Sequence, residues 1–467
     1  EGNPQHNFID LVLECMPTQV TLVPDAIGAL TSNAGWDTVK HQSYLTEVIQ
    51  EFQRKGIRTS IFVDADERMI EGAKAIGTDR IELYTESYAH EYGKGNFAAI
   101  APFVTAAEKA AEFLAPEHLT LPNGKKASVI YQPLGAILAV MPWNFPFWQV
   151  FRFAAPTLMA GNVGLLKHAS NVPQCALAIE SVFEEAGFPI GAFQSLLIDS
   201  STTLELLKDN RVKAVSLTGS EKAGAAVASV AGSQIKKSLL ELGGSDPFIV
   251  LRDADVSAAA ETAAKARMIN FGQSCIAAKR FIVEEHVYEE FLEIFTRKIE
   301  GMKQGNPLDE SSDYACMARP DLAQELYMQV EKSEMMGAKV ILGGCKPSSG
   351  SAAFEPTILI DVPASAPAFS EELFGPVAAV FKVKNEQEAI SLANATEFGL
   401  GASLWTSDLE KGEKLASRIE SGAVFINSMV ASHPALPFGG IKKSGFGREL
   451  SRQGILEFVN HKTVYLG

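Results

Sequence analysis

Four short segments carry residue types that can do covalent chemistry. They are residues 142–146 (PWNFP), 241–244 (ELGG), 272–275 (GQSC) and 372–376 (ELFGP). A cysteine thiolate attacks a carbonyl carbon, a glutamate serves as a general base, and an asparagine amide can donate to an oxyanion. Each segment alone is a weak signal. The structural alternatives are an inert buried cysteine, a helix-end glutamate in solvent and a turn asparagine that caps its own backbone.

The elements that must position these segments alternate between strands and helices, which is typical of parallel βα units. In the first 110 residues the pattern predicts helices over 8–16, 39–55, 67–75 and a last one ending near 110, and strands over 19–23, 58–63 and 80–84. Pro122-Asn123-Gly124 predicts a hairpin. Beyond it, strands are expected over 136–140, 163–166 and 214–217, helices over 174–185 and 258–269, and an edge strand over 462–466.

In this order and at these separations the four segments resemble the aldehyde dehydrogenase superfamily over about residues 111–467. Within it, residues 165–174 (LLKHASNVPQ) and 146–156 (PFWQVFRFAAP) resemble bacterial succinate-semialdehyde dehydrogenases. The resemblance implies an α/β fold with parallel sheets and helices. The implied domains are a dinucleotide-binding domain (135–242 and 440–460), a catalytic domain (243–439) and oligomerisation strands (111–134 and 461–467).

By this resemblance, Cys275 is the nucleophile and oxidation proceeds through a cysteine thiohemiacetal and a thioester. The side chain of Asn144 and the backbone N–H of Cys275 would form the oxyanion hole. Glu241 would be the general base for thioester hydrolysis, and Gly243 and Gly244 after it allow close backbone approach. The other four cysteines remain small apolar residues in this interpretation.

A turn after the strand at 214–217 suits a dinucleotide phosphate. Gly219, Ser220 and Gly224 form a GxxxxG spacing and not the usual GxGxxG fingerprint. A strand, a glycine turn and a helix N-terminus still favour an anion. The resemblance places the cofactor on this modified turn.

Further cofactor contacts are implied by the resemblance at Trp143, Lys167, Ser170, Glu372 and Phe374. Lys167 matches a ribose contact, and Ser170 stands where many relatives have a glutamate that repels a 2′-phosphate. This favours NADP, with NAD not excluded. Glu372 and Phe374 match the nicotinamide-side ribose contact and the residue beside the ring. The alternatives are a surface lysine and a serine that only caps a helix.

The expected substrate is succinic semialdehyde, oxidised to succinate, whose distal carboxylate needs a cation or donors. Arg152 lies eight residues after Asn144, and Ser432 lies in the loop before residues 437–440 (PFGG). In succinate-semialdehyde dehydrogenases these two positions bind the carboxylate. A buried arginine is costly unless paired, so Arg152 could instead pair with a structural carboxylate.

The first part of the chain resembles a different family. Residues 5–107 are similar to an internal fragment of pyridoxine 5′-phosphate synthase, a βα-barrel enzyme, and we expect residues 1–110 to form a partial barrel. Thr31 and Glu82 match a phosphate-side contact and a stabilising carboxylate of that family, but its general bases and acid lie outside the fragment. An inactive or unstable fusion, or residual synthase function, therefore stays open as an alternative.

The composition and net charge disfavour several classes of binding partner. The 467 residues carry a net charge of −15, which disfavours a nucleic-acid or anionic-membrane binder. The five cysteines form no CxxC pair, so we expect no disulfide framework and no metal site. No signal peptide or membrane span is visible in the sequence. We therefore expect a cytoplasmic homo-oligomer acting on a small-molecule aldehyde.

Overall fold

The computed structural model describes residues 2–24, 35–64, 66–84, 114–122, 125–309 and 311–466. The chain divides into two compact units, one of residues 1–115 with 182–189 and one of residues 116–181 with 190–467. In the described residues, no helix is long and apolar enough to cross a membrane.

Helices and strands alternate along the chain. The helices are α1 (His6–Cys15), α2 (Gln42–Arg54), α3 (Glu67–Ala75), α4 (Trp148–Met159), α5 (Pro173–Glu185), α6 (Ser200–Leu206), α7 (Glu221–Ser233), α8 (Val256–Met268), α9 (Tyr288–Glu300), α10 (Pro320–Met335), α11 (Pro367–Ser370), α12 (Glu386–Asn394), α13 (Leu409–Ala416) and α14 (Ser451–Leu456). The strands are β1 (Gln19–Leu22), β2 (Arg58–Asp64), β3 (Arg80–Tyr84), β4 (Glu117–Thr120), β5 (Lys126–Pro133), β6 (Ala136–Met141), β7 (Val163–His168), β8 (Phe193–Ser195), β9 (Val212–Thr218), β10 (Lys237–Glu241), β11 (Pro247–Val250), β12 (Arg280–Glu284), β13 (Lys339–Leu342), β14 (Thr357–Ile360), β15 (Val377–Val383), β16 (Gly401–Trp405), β17 (Ala423–Ile426), β18 (Gly445–Phe446) and β19 (Val459–Tyr465).

The N-terminal unit contains three strands in the order β1-β2-β3, all parallel. Its core joins strand residues such as Leu22 and Ile61 to Leu45, Ile49 and Phe52 of the amphipathic helix α2, all of which are fully buried. The three predicted strands and the two helices between them are therefore present, whereas the helix expected after β3, ending near residue 110, lies outside the described residues.

The first sheet of the larger unit has the order β18-β10-β9-β6-β7-β8, with only β18 antiparallel among its described strands. From β6 the chain adds β7 and β8 on one side and then returns to place β9 and β10 on the other. The sheet thus has a topological switch point between β6 and β9, where ligands bind at the carboxyl ends of strands.

A second sheet has the order β13-β14-β15-β12-β11-β16-β17 and is parallel except at β13. The segment after Glu241, the last residue of β10, crosses from the first sheet to Pro247, the first residue of β11. Phe248, Phe281 and Phe295 fill one face of this sheet and are completely buried.

A third sheet has the order β19-β5-β4 and is antiparallel. The edge strand expected over 462–466 is β19, and it begins earlier, at Val459, because its first residues already pair with the end of β5. The predicted turn residues Asn123 and Gly124 lie outside the described residues. Whether this sheet serves oligomerisation stays a prediction.

Candidate active site

The proposed reactive residues follow the carboxyl ends of neighbouring strands. Asn144 follows β6, Ser170 follows β7, Gly219 follows β9 and Glu241 ends β10. The N–H of Gly219 donates to the carbonyl of Glu241 at 3.0 Å, which joins the ends of β9 and β10. Since these strands are parallel neighbours, four residues from distant parts of the sequence lie along one edge of the sheet.

His168 braces the segment that carries Asn144. Its Nε2 lies 3.0 Å from the carbonyl oxygen of Pro146, and its Nδ1 lies 3.1 Å from the carbonyl oxygen of Met141 and 3.0 Å from the backbone nitrogen of Ala169. Both ring nitrogens thus face a carbonyl oxygen, and burial lowers the pKa of His168, which favours the neutral ring. The ring thereby fixes residues 142–146 to the end of β7.

Asn144 lies against the loop that carries the cysteine. Its Nδ2 donates to the carbonyl of Gln273 at 3.0 Å, and the Nδ2 of Asn270 donates back to the carbonyl of Asn144 at 2.9 Å. A carboxamide has two N–H groups. One of them ties the amide to the cysteine loop, and the other can donate to an oxyanion.

The loop before Cys275 has an unusual backbone. Asn270, Phe271 and Gly272 are consecutive residues with φ of 48°, 53° and 74°. A Cβ on Gly272 would lie 2.3 Å from the carbonyl carbon and oxygen of Gly375, so only glycine fits there. Strained backbone of this kind collects at functional sites because it must be held by its surroundings.

Cys275 itself is half-buried. Burial raises the pKa of its thiol to about 11, while the charges of Arg152 and Lys279 oppose part of that rise. The resting group is therefore a thiol, and a base must take its proton before it can attack a carbonyl carbon.

Glu241 supplies a carboxylate suited to that work. It is 2% exposed, and neither carboxylate oxygen has a hydrogen-bond partner among the described residues. Burial, reinforced by the like charge of Glu449, raises the pKa of Glu241 well above its ordinary value. A buried carboxylate with a raised pKa is a stronger base, and its free oxygens can accept a proton from water or a thiol.

The residues of the predicted phosphate turn have the geometry of an anion site. The side chain of Ser220 caps α7 by accepting from the N–H of Ala223 at 3.3 Å. The hydroxyl of Thr218 is buried and has no partner among the described residues. A Cβ on Gly224 would lie 2.6 Å from Leu242, so glycine lets the first turn of α7 approach the end of β10. This cradle fits a dinucleotide phosphate.

The remaining predicted cofactor residues divide between two places. Lys167, half-buried, and Ser170, exposed, lie at the end of β7. Trp143 and Phe374 meet edge to face with ring centroids 6.1 Å apart. Glu372 is beside Phe374 and accepts from the N–H of Gly244 at 3.0 Å.

Arg152 is buried on α4, where its Nε forms an ion pair with Glu449. Its guanidinium carbon lies 4.4 Å from the ring centroid of Phe438, and its Nη2 has no hydrogen-bond partner among the described residues. One turn earlier, Trp148 Nε1 donates to Ser432 Oγ at 3.3 Å. The two residues predicted to bind a substrate carboxylate are thus brought to the same helix.

Sequence reasoning missed Glu449, Lys279 and the bracing role of His168. Glu449 stands in a short glycine-rich segment with no spacing that links it to Arg152, so the sequence offered no signal.

Thr31 lies outside the described residues, as does the side chain of Glu82. In the part of the chain described, no group of three or more His, Cys, Asp or Glu residues is placed to hold a metal ion.

Two family models match this chain. The model of the aldehyde dehydrogenase family matches residues 73–464. The model of the pyridoxal phosphate biosynthesis protein PdxJ matches residues 1–121. The sequence-based resemblance of both parts of the chain is therefore confirmed.

Individual relatives agree with the larger match. A Synechocystis sp. protein named "probable succinate-semialdehyde dehydrogenase (NADP(+))" is 58% identical over 360 residues, which are 77% of this chain and 79% of the relative. The Mycobacterium tuberculosis succinate-semialdehyde dehydrogenase (NADP(+)) 1 is 51% identical over 72% of this chain and 74% of its own length. The crystal structure of the Streptococcus pyogenes succinic semialdehyde dehydrogenase with NADP+ has a TM-score of 0.76 at 38% identity, covering 82% of this chain and 84% of that one.

Proposed function

Since the chain belongs to the aldehyde dehydrogenase family, we propose that it oxidises succinic semialdehyde to succinate with NADP. The observation that carries the proposal is the 3.0 Å contact of Asn144 with the carbonyl of Gln273 in the cysteine loop. The buried, unpartnered carboxylate of Glu241 supports it, because the charges of Glu241 and Cys275 both act on Arg152. These groups can supply a nucleophile, an oxyanion donor and a base. The names of the relatives support this choice of substrate and cofactor.

In the proposed reaction the Cys275 thiol loses its proton to water, and the thiolate attacks the aldehyde carbon. The second N–H of Asn144 and the N–H of Cys275 donate to the oxyanion that forms. NADP held at the turn of Gly219, Ser220 and Gly224 would supply the acceptor for the hydride that leaves this carbon. A thioester on Cys275 remains. Glu241 then takes a proton from the water that attacks the thioester, which releases the acid and restores the thiolate.

We propose that the cofactor is held by the residues at the carboxyl ends of the strands. The turn of Gly219, Ser220 and Gly224 suits its phosphates. Lys167 and Ser170 suit a 2′-phosphate, because a cation and a hydroxyl do not repel it.

Trp143, Glu372 and Phe374 are proposed to surround the nicotinamide and its ribose. The proposed boundaries are a dinucleotide-binding domain of 135–242 with 440–460, a catalytic domain of 243–439 and oligomerisation strands of 111–134 with 461–467. The N-terminal part, residues 1–110, contributes none of the proposed site residues. We also propose that the protein forms a homo-oligomer.

For the substrate we propose that Arg152 and Ser432 bind the distal carboxylate. The guanidinium of Arg152 is held by Glu449 at Nε, while Nη2 remains for a second acceptor. A charged donor with one nitrogen already anchored is well placed for a second carboxylate.

The test is to follow reduced nicotinamide absorbance with the purified protein, succinic semialdehyde and NADP. We expect turnover in the wild type and in Cys316→Ala, because Cys316 is exposed and lies outside the four segments. We expect no turnover in Cys275→Ala, with NADP binding retained. Turnover by the Cys275→Ala protein would refute the assignment of the nucleophile.

A further inference from the structure

Lys279 is a fully buried ammonium beside the proposed nucleophile. Its side chain is 0% exposed, and its Nζ donates to the carbonyls of Cys275 at 2.6 Å and Ser274 at 3.0 Å. The same Nζ lies 3.2 Å from Oε1 of Glu372. A buried charge must be paired and hydrogen-bonded, and here every one of these partners belongs to the cysteine loop or to the proposed cofactor side.

Glu372 extends this network to a third segment. Its Oε1 also accepts from the N–H of Gly244, three residues after Glu241. The carboxylate keeps 20% of its side chain exposed, so it remains open to a ligand. One ammonium and one carboxylate therefore join the cysteine loop, the exit of β10 and the segment of residues 372–376.

The backbone of Lys279 is fixed as well. Its N–H donates to the carbonyl of Asp246 at 3.1 Å, at the point where β12 begins beside β11. The ammonium thus projects from the residue just before an interior strand of the second sheet and not from a free loop. A charge held in this way can set the position of the groups that it contacts.

We propose that Lys279 is a positioning residue that couples the carboxylate of Glu372 to the peptide carrying the Cys275 nucleophile. The inference rests on the proposed function for the roles of Cys275 and Glu372. Two consequences follow from the charges. The Lys279 ammonium favours the Cys275 thiolate, and Glu372, as a like charge, disfavours it.

The two charges have opposite effects on the Cys275 thiolate, so removing each of them should change its reactivity in opposite directions. We would follow alkylation of the Cys275 peptide by iodoacetamide, by mass spectrometry, between pH 7 and pH 9. Lys279→Gln should slow alkylation at a given pH by about three- to fourfold. A thiol pKa about one unit higher lowers the thiolate fraction about tenfold, and the greater nucleophilicity of the more basic thiolate offsets part of that loss. Glu372→Gln should accelerate alkylation.

A matched control is Lys236→Gln. Lys236 Nζ also donates to two carbonyls, those of Leu207 and Asp209, each at 2.6 Å, but at the amino end of β10. This variant should leave the alkylation profile unchanged. NADP affinity, measured by fluorescence titration, should fall about three- to tenfold in Lys279→Gln and not in Lys236→Gln.

The outcomes are distinguishable. Slower alkylation in Lys279→Gln with faster alkylation in Glu372→Gln supports the proposal, whereas a shift of both in one direction, or no shift, overturns it. If Lys279→Gln does not fold, Glu372→Gln alone decides, because an unchanged or slower rate overturns the proposal. Absence of wild-type turnover would refute the proposed function, while alkylation, which needs no turnover, still decides the role of Lys279.

Discussion

Replacing Arg152 by leucine separates substrate recognition from support of the site. The side chains of Arg152 and Glu449 are each 3% exposed, and they form an ion pair. Removing one partner leaves a buried unpaired carboxylate, which costs about 3–5 kcal/mol of stability. This loss of stability should lower the activity toward every substrate by the same factor, because it reduces the amount of correctly folded site.

Removing Arg152 should also weaken the interaction with the substrate carboxylate, and this second loss of activity affects only substrates that carry that group. A hydrogen bond to a charged group contributes about 1.5–3 kcal/mol. One factor of ten in rate corresponds to about 1.4 kcal/mol, so the selective loss should be about 10–100-fold in kcat/KM. The ratio of kcat/KM for succinic semialdehyde to that for butanal cancels the general loss and the amount of active enzyme.

The assay compares these two aldehydes at one ionic strength in the wild type, Arg152→Leu and Ser432→Ala. Ser432→Ala should lower the ratio by only about two- to tenfold, because it removes a neutral donor. The double variant Arg152→Leu/Glu449→Leu should recover thermal stability without recovering the ratio, since it removes the unpaired carboxylate but restores no cation. An unchanged ratio in Arg152→Leu would refute carboxylate recognition and leave Arg152 as a partner of Glu449 alone.

Glu241→Gln should give a burst of reduced cofactor followed by turnover about 10²–10⁴-fold slower, because the thioester loses its base; rapid-mixing absorbance measures this, and absence of a burst would instead place Glu241 in thiol activation. Ser170→Glu should move the NADP to NAD ratio of kcat/KM at least about tenfold toward NAD, because the added carboxylate repels a 2′-phosphate. An unmoved ratio would make Ser170 a helix cap only. Burial raises the pKa of Asp246 from 3.8 to about 7, so between about pH 4 and pH 7 the folded state holds a proton that the unfolded state releases. The free energy of unfolding should therefore fall by up to about 4 kcal/mol as the pH rises through this range. The melting temperature of Asp246→Asn should exceed that of the wild type at pH 8 and lose that advantage near pH 4, and an equal difference in melting temperature at all pH values would contradict this. Gly272→Ala should lower both the melting temperature and the turnover, because its Cβ would lie 2.3 Å from the carbonyl of Gly375; a fully active, equally stable variant would show that the loop adapts.

Sequence patterns located the elements closely because their signals are local. The strand expected over 214–217 is Val212–Thr218, and the helix expected over 174–185 is Pro173–Glu185. The helix expected over 39–55 begins only at Gln42, because residues 38–41 form turns before it. Side-chain periodicity and turn residues fix an element's type, whereas its last residues depend on neighbours that the pattern does not contain.

The sequence by itself predicted which residues could react, since Cys275, Glu241 and Asn144 stand in segments whose order and separations resemble those of the aldehyde dehydrogenase superfamily. Only the tertiary structure decided what surrounds them. The ion pair of Arg152 with Glu449 and the contact of Lys279 with Glu372 join segments far apart in the chain. Strand order and burial decide which charged side chains become partners, because a buried charge needs a counter-charge nearby. Neither strand order nor burial can be predicted from a short stretch of sequence.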